Sequence, residues 1–417
     1  QASIVADDLA SYRLAYRTAN QSDSPWVNLA QGNSSFTGKL AVFDTSLLRN
    51  GVYELLLEAV NTAGRSSTLV RRITVEGELK AGFFSFTIED MQRTLTGVPI
   101  QVQRTYDSRD KNRRSDFGYG WSLDYQNVTV EETRVPGSFW AMRETRSGPF
   151  NLIQNFCIEP IGEPKVVVTL PNGDQERFRV QASPRCNQFT PITRVELEFV
   201  PEDDTRSSLR WARPQLVDLI NGNLFFDLSD ATQANVADPN QYILTTEVGY
   251  EFHLQQGVGL EKMIDPNGNS LTYSDAGIAH SDGPRIDFNR NAQGLITSIQ
   301  DSSGASLSYI YDDQLQLVEV IDQNNHSTTF AYQSDRLLTD IFDPLGRKLV
   351  QNIYNENGRL IAQEDNDGDR RSFNHDIEGR QSVVTDRLGR TSVSIYNDRG
   401  DVTASVDAYG QTTLYSV

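Results

Sequence analysis

Asp343-Pro-Leu-Gly346, Asp365-Asn-Asp-Gly368, Asp386-Arg-Leu-Gly389 and Asp407-Ala-Tyr-Gly410 decide how this chain is read. Between them stand Tyr354-Asn-Glu-Asn-Gly358, His375-Asp-Ile-Glu-Gly379 and Tyr396-Asn-Asp-Arg-Gly400. The closing glycines of the first set lie 22, 21 and 21 residues apart, and those of the second 21 and 21. Two turn signals recurring at one period mark a repeat architecture. An Asp or Asn opening a tight turn accepts hydrogen bonds from the backbone ahead of it, and a closing Gly tolerates positive φ. Between turns, Val402, Ala404 and Val406 alternate with Asp401, Thr403 and Ser405, the pattern of half-buried strands. One unit is two short strands and two turns, too little to bury its own face. Stacked units therefore predict one long, twisting antiparallel sheet.

Working toward the N-terminus, the anchor aspartates run 301, 322, 343, 365, 386 and 407, and the step from Asp265 to Asp301 is 36, an irregular unit. Repeat character begins near Gln241, so 241–417 is read as repeats and 128–240 as a β-rich region without them, the start of the large sheet or a cap on it. Within that region Lys165–Leu170 and Glu176–Val180 read as a hairpin through Asn172-Gly173, and Arg194–Val200 as an alternating strand. Residues 1–76 carry strands at short spacing, including Tyr12–Tyr16 and Val52–Val60. They predict an immunoglobulin-like or fibronectin type III-like sandwich with Trp26 and Tyr53 in its core. Residues 77–127 hold an alternating strand at Val98–Asp107 and the run Phe117-Gly-Tyr-Gly-Trp-Ser122, in which Trp121 is expected to plug one end of the sheet. No helical periodicity competes, and the fold class is all-β.

Tyr396-Asn-Asp-Arg-Gly400 and Asp386-Arg-Leu-Gly-Arg390 resemble the YD, or rearrangement-hotspot (RHS), repeat. Pro99–Ser108 and Phe117–Ser122 resemble the segment that commonly precedes such repeats. The resemblance implies a strip of β-hairpins spiralling into a hollow shell. In bacterial polymorphic toxins and toxin complexes that shell encloses a C-terminal toxic domain, and in teneurins it supports adhesion. The self-cleaving core region of toxin members is not present before Val417, so enclosure is expected of a longer parent chain. The partners expected are the remainder of that chain and a cell-surface or glycan ligand.

A net charge of −18 and a pI near 4.7 argue against nucleic acid and anionic membrane surfaces as partners. No run of eighteen apolar residues offers a membrane span. Composition points to an extracytoplasmic bacterial protein, secreted or at the cell surface. Cys157 and Cys186, the two cysteines, are expected to form a disulfide. Asp365, Asp367 and Asp369 have the spacing of half a calcium loop, but their Asp and Gly coincide with the repeat's own turn, so the turn reading is preferred. His253, His280, His326 and His375 are scattered, and His375 takes the place that Tyr354 and Tyr396 fill in sister units. HExxH, GxSxG, a phosphate loop and CxxC are all missing, so no catalytic, cofactor or metal residue is assigned. The function expected is a non-enzymatic shell segment. An adhesive or glycan-binding scaffold is the alternative, and a polysaccharide-active enzyme comes third. The repeat sheet is expected to be a single layer with solvent on both faces, because its strands are weakly apolar.

Overall fold

The computed structural model describes residues 2–19, 25–75, 77, 79–95, 97–170, 173–202, 205–213, 216–220, 222–227 and 235–415. Its main feature is a 26-stranded antiparallel sheet running from Thr129–Glu132 to Thr412–Leu414. From Gln241–Thr245 onward every strand pairs with the next in sequence, and no strand of a distant unit is inserted. The irregular stretch between Asp265 and Asp301 holds four strands where a regular step holds two, the short hairpin of Ser270–Ser274 and Gly277–His280 being added before Arg285–Arg290. Pro171 and Asn172 of the expected hairpin turn lie outside the described residues; its strands, Lys165–Thr169 and Gln175–Ser183, pair antiparallel.

The early part of the sheet rolls up on a core of its own. Alternation in Arg194–Pro201 turns Val195, Leu197 and Phe199 inward, where they join Val130, Phe178 and Trp211. The N-terminal residues form a four-stranded sheet in the order Val27–Gly32, Leu9–Thr18, Gly51–Asn61, Ser66–Val75, beside a short ladder of Ala2–Ile4 with Phe36–Gly38. Tyr53 is buried against Tyr16 and Phe43. Trp26, expected in that core, is instead half-buried, because the Arg17 guanidinium lies 4.5 Å over its ring while pairing with Glu54.

The single-layer expectation fails for much of the repeat sheet. Residues 85–123 form a three-stranded layer, Trp121–Leu123, Ile100–Asp107 and Ser85–Arg93 in that order. Ile100, Val102, Tyr106, Phe117 and Trp121 of this layer share one core with residues from Leu271 to Ile341. Those residues span eight consecutive strands, about 34 Å across if laid flat, whereas three strands cover only about 10 Å. The layer therefore packs across the face of these eight strands. The weakly apolar repeat strands are thus completed by side chains that lie more than 150 residues away in sequence. Beyond Phe342 the expectation comes closer, since the buried apolar residues there are Leu360, Ala362 and Ala404.

Each regular turn closes the same way. At Asp386, the amide of Asp386 donates to Arg390 O and that of Gly389 to Asp386 O, both at 2.9 Å. The Asp386 Oδ1 accepts from the amides of Leu388 and Arg390. Asp343, Asp365, Asp407, Asn355 and Asn397 repeat this pattern, placing Gly346, Gly368, Gly410, Gly358 and Gly400 at the fourth position. Gly389 sits at φ 76° with open space beyond its Cα. Leu315, Asn325 and Arg336 take the same left-handed position at 62°, 62° and 69°, so the turn geometry holds even where glycine is missing. Gly379 departs from the sister units. Its φ is not positive, Arg380 is the left-handed residue at 54°, and Asp376 pairs directly with Gln381. The Asp376 carboxylate accepts the Gly379 amide at 2.8 Å and pulls this loop one residue tighter.

Gly389→Ala is expected to cost about 1–2 kcal/mol, the penalty of an L side chain in a left-handed conformation, with no clash added. Gly400→Ala should cost more, because its Cβ would meet that of Leu79 at 3.2 Å. Urea midpoints of the two variants and of Gly389→Asn, which tolerates this conformation, check both statements.

Candidate functional site

The lead-in layer meets the repeats around one buried cation. Period-two parity puts Arg104 on the same face as Ile100, Val102 and Tyr106, and only 1% of it is exposed. Its Nε and Nη2 donate to Asp90 Oδ2 and Oδ1 at 2.9 and 3.0 Å. The guanidinium carbon lies 4.5 Å from the Trp121 ring centre and 5.7 Å from those of Phe117, Tyr309 and Phe330. Tyr309 donates to Asp90 Oδ2 at 2.8 Å. Burial opposes the charge, and the Asp90 carboxylate outweighs it, so the pKa of Arg104 stands above its ordinary value. Two oppositely charged groups, one from each strand of the lead-in hairpin, are thus enclosed by aromatic rings of the lead-in layer and of the repeats.

Hydrogen bonds extend this junction outward. Trp121 Nε1 donates to Tyr332 Oη at 2.8 Å, and Tyr332 donates to Leu317 O at 2.7 Å. Tyr311 and Tyr354 do the same to Ile296 O and Leu338 O, so the unit tyrosine ties the end of its strand to the start of the preceding one. Tyr396 stands at the matching bulge, opposite Val402. His375 holds Ser382 Oγ at 2.9 Å through Nδ1 and stacks on Phe373. At the rim, Arg290 pairs with Asp116, Arg93 with Asp301 and Lys111 with Asp335. Trp121 was legible in the sequence; Asp90, Arg104, Tyr309 and Phe330 were not, although strand parity alone would have turned Arg104 inward.

Two of the three candidate metal residues, Asp365 and Asp369, have carboxylates engaged by protein groups. Asp365 Oδ1 accepts the amides of Asp367 and Asp369 at 3.0 Å each, and Asp369 Oδ2 pairs with Arg387 at 2.6 Å. Among the described residues no three His, Cys, Asp or Glu gather in a metal-holding group. Cys157 and Cys186 face each other across adjacent strands and are joined by a disulfide.

Two buried carboxyls lie where the sheet begins. Glu131 accepts the Val52 amide at 2.5 Å, linking the N-terminal sheet to the first strand of the large one, and burial pushes its pKa up to about 7. Glu132 accepts from Tyr242, and burial together with neighbouring Asp238 pushes it well above the usual range.

Residues 354–391 match the family model described as RHS Repeat, a span from Tyr354-Asn-Glu-Asn-Gly358 through Asp386-Arg-Leu-Gly389. Residues 354–391 are thus RHS-repeat sequence. A search of curated proteins gives no match. Among solved structures, TcdB2-TccC3 without its hypervariable C-terminal region is 9% identical and covers 95% of this chain and 22% of its own, with a TM-score of 0.29. TcdB2-TccC3 is 10% identical over 87% of this chain and 27% of its own, with a TM-score of 0.25. A Photorhabdus luminescens Tc holotoxin pore is 11% identical over 91% of this chain and 25% of its own, with a TM-score of 0.22. The chain therefore spans about a quarter of the length of these proteins.

Removing one partner of the buried pair strands the other. Asp90→Ala is expected to cost about 3–5 kcal/mol, whereas the double replacement Asp90→Leu/Arg104→Met should recover most of that loss. A double-mutant cycle on urea midpoints measures it.

The pH dependence has two opposed parts. Hydrogen bonds from turn groups hold Asp265, Asp301, Asp322, Asp343 and Asp386 below the ordinary 3.8, so their contribution is lost as pH falls through that value and lower. Folded Glu131 keeps its proton to about pH 7, while the unfolded chain releases it near 4.5, so its contribution is lost as pH rises between those values. Glu131→Gln should make the decline between 4.5 and about 7 shallower, leaving the share that Glu132 contributes, and should leave the acid limb unchanged, as read from unfolding midpoints across pH.

Proposed function

We propose that this RHS chain is a non-enzymatic segment of a shell wall in a larger secreted or cell-surface bacterial protein, enclosing a C-terminal toxic domain of the same polypeptide. The observation that carries this reading is the 26-stranded sheet, whose repeat strands follow one another in chain order and pack on the lead-in layer. A wall built in this way can lengthen one hairpin at a time, since each new strand needs only its predecessor and the turn chemistry of its own residues. In this reading 1–76 is an attached sandwich module and 77–127 the lead-in segment on which the wall winds. Residues 128–240 begin the wall, and 241–417 are its repeats. The Cys157–Cys186 bridge suits an oxidising, extracytoplasmic setting. Among the described residues no helix is long and apolar enough to cross a membrane.

Limited proteolysis of the full-length parent tests the proposal. A segment C-terminal to the repeats should survive inside the intact protein at protease levels that digest it when it is expressed alone. Equal digestion rates in the two settings would overturn enclosure.

A further inference from the structure

One part of the chain stands apart from the large sheet. Trp140–Ser147, Ile153–Pro160 and Cys186–Gln188 form a separate three-stranded antiparallel finger. Its base is anchored: Trp140 is fully buried, donates through Nε1 to Pro136 O at 2.8 Å, and meets the Phe225 ring edge-on at 5.0 Å. Its far end is bare. Phe150, Leu152 and Phe189 are 93%, 74% and 63% exposed.

Phe150 and Phe189 take φ values of 58° and 64°, and Asn151 between them and the strand takes 56°. A bulky side chain in the left-handed region is a true outlier, and such strain gathers where a surface is used. The Phe189 amide donates to Gln154 O at 2.9 Å, which sets Phe189 beside the tip of the longer hairpin. The Cys157–Cys186 bridge clamps the short strand that carries it.

The chemistry of the tip is apolar and uncharged. Residues 147–158 and 186–193 contain no ionisable group apart from the bridged cysteines, in a chain where 23% of residues are charged. The nearest acids are both paired, Glu144 with Arg146 and Glu159 with Arg143 and Arg185. The size of the tip selects its occupant. Three side chains of at most about 150–250 Å² each present a few hundred Å² on a convex end. That is well short of the about 800 Å² per partner that a stable protein–protein contact buries. A lipid interface demands neither that area nor a complementary shape, and its grip grows with the apolar surface submerged.

We propose that the tip of this finger inserts into the interfacial region of a zwitterionic phospholipid bilayer, with Phe150, Leu152 and Phe189 as its anchors. The net charge of −18 sets the lipid preference: anionic headgroups repel the body of the chain, so phosphatidylcholine surfaces are bound better than phosphatidylserine-rich ones. This inference is independent of the enclosure reading.

Flotation of the full chain with phosphatidylcholine vesicles tests it. Wild type should float, and Phe150→Asp/Leu152→Asp should bind at least tenfold less while keeping its circular dichroism, since both positions lie in water in the folded protein. In a separate Phe150→Trp variant, tryptophan emission should shift to the blue when vesicles are added. Failure of wild type to float, equal flotation of the double variant, or an unmoved emission band would overturn the proposal. So would self-association of wild type in solution that the double variant abolishes, which would make a second copy the occupant. Preference for phosphatidylserine vesicles would overturn the stated lipid selectivity.

Discussion

A guanidinium with 1% of its surface exposed stays charged only where its surroundings replace the water it has lost, and Arg104 sits in such surroundings. Asp90 supplies two hydrogen bonds and the countercharge, and four aromatic rings supply their electron-rich faces. Tyr309 and Phe330 come from the repeats; Phe117 and Trp121 come from the lead-in layer. The ion pair is made within the lead-in hairpin, and the repeats complete its surroundings. Apolar residues of similar volume could fill the same space, but they would not fix which strand of the repeats faces the lead-in, whereas the hydrogen bond from Tyr309 to Asp90 does.

Once that first turn of the wall is seated, growth becomes a local matter. A turn aspartate or asparagine satisfies two amides with its own side chain, and the unit tyrosine caps a carbonyl of the preceding strand. Neither interaction requires a distant partner. This explains how the sheet can continue past Phe342 with only Leu360, Ala362 and Ala404 as buried apolar residues among the described ones. Polar bonds of this kind contribute modestly each, yet leaving their amides and carbonyls unpaired would cost more, so the local set is obligatory.

The repeat was legible because its signals are short-range. Period, turn residues and strand alternation all lie within one window of sequence, and the antiparallel sheet follows from them. Two of the left-handed turn positions escaped because Leu315 and Arg336 hold them without glycine, whereas Asn325 closes a turn that its anchor Asp322 had marked. Gly379 misled in the opposite direction, since it is present to let the Asp376 carboxylate approach and not to supply positive φ. The core of the repeat sheet was invisible for a different reason. Its inner half is supplied by residues 85–123, and nothing within a repeat announces a side chain that arrives from so far upstream. Judged on the repeat alone, Leu317 or Phe330 is one apolar residue on a thin strand; judged with Trp121, it is half of a packed layer.

The same separation bears on how the later repeats meet the N-terminal residues. Arg359 reaches back to Ala81 O, to Ser46 Oγ and to the Asp44 carboxylate, the last across 315 residues, and the Leu360 amide donates to Gly82 O. These contacts place residues 44–82 across a turn that is complete only when the later repeats exist. Contacts of such long range are slow to form, because loop closure must precede any gain from them. The lead-in layer avoids part of that delay: its hairpin of Ser85–Arg93 and Ile100–Asp107 is local and holds both Asp90 and Arg104. It gives the emerging strands a charged, aromatic surface to wind on. A chain that must curl a sheet with few large residues of its own has reason to place its packing surface first in sequence, so that each repeat meets its inner face as it forms.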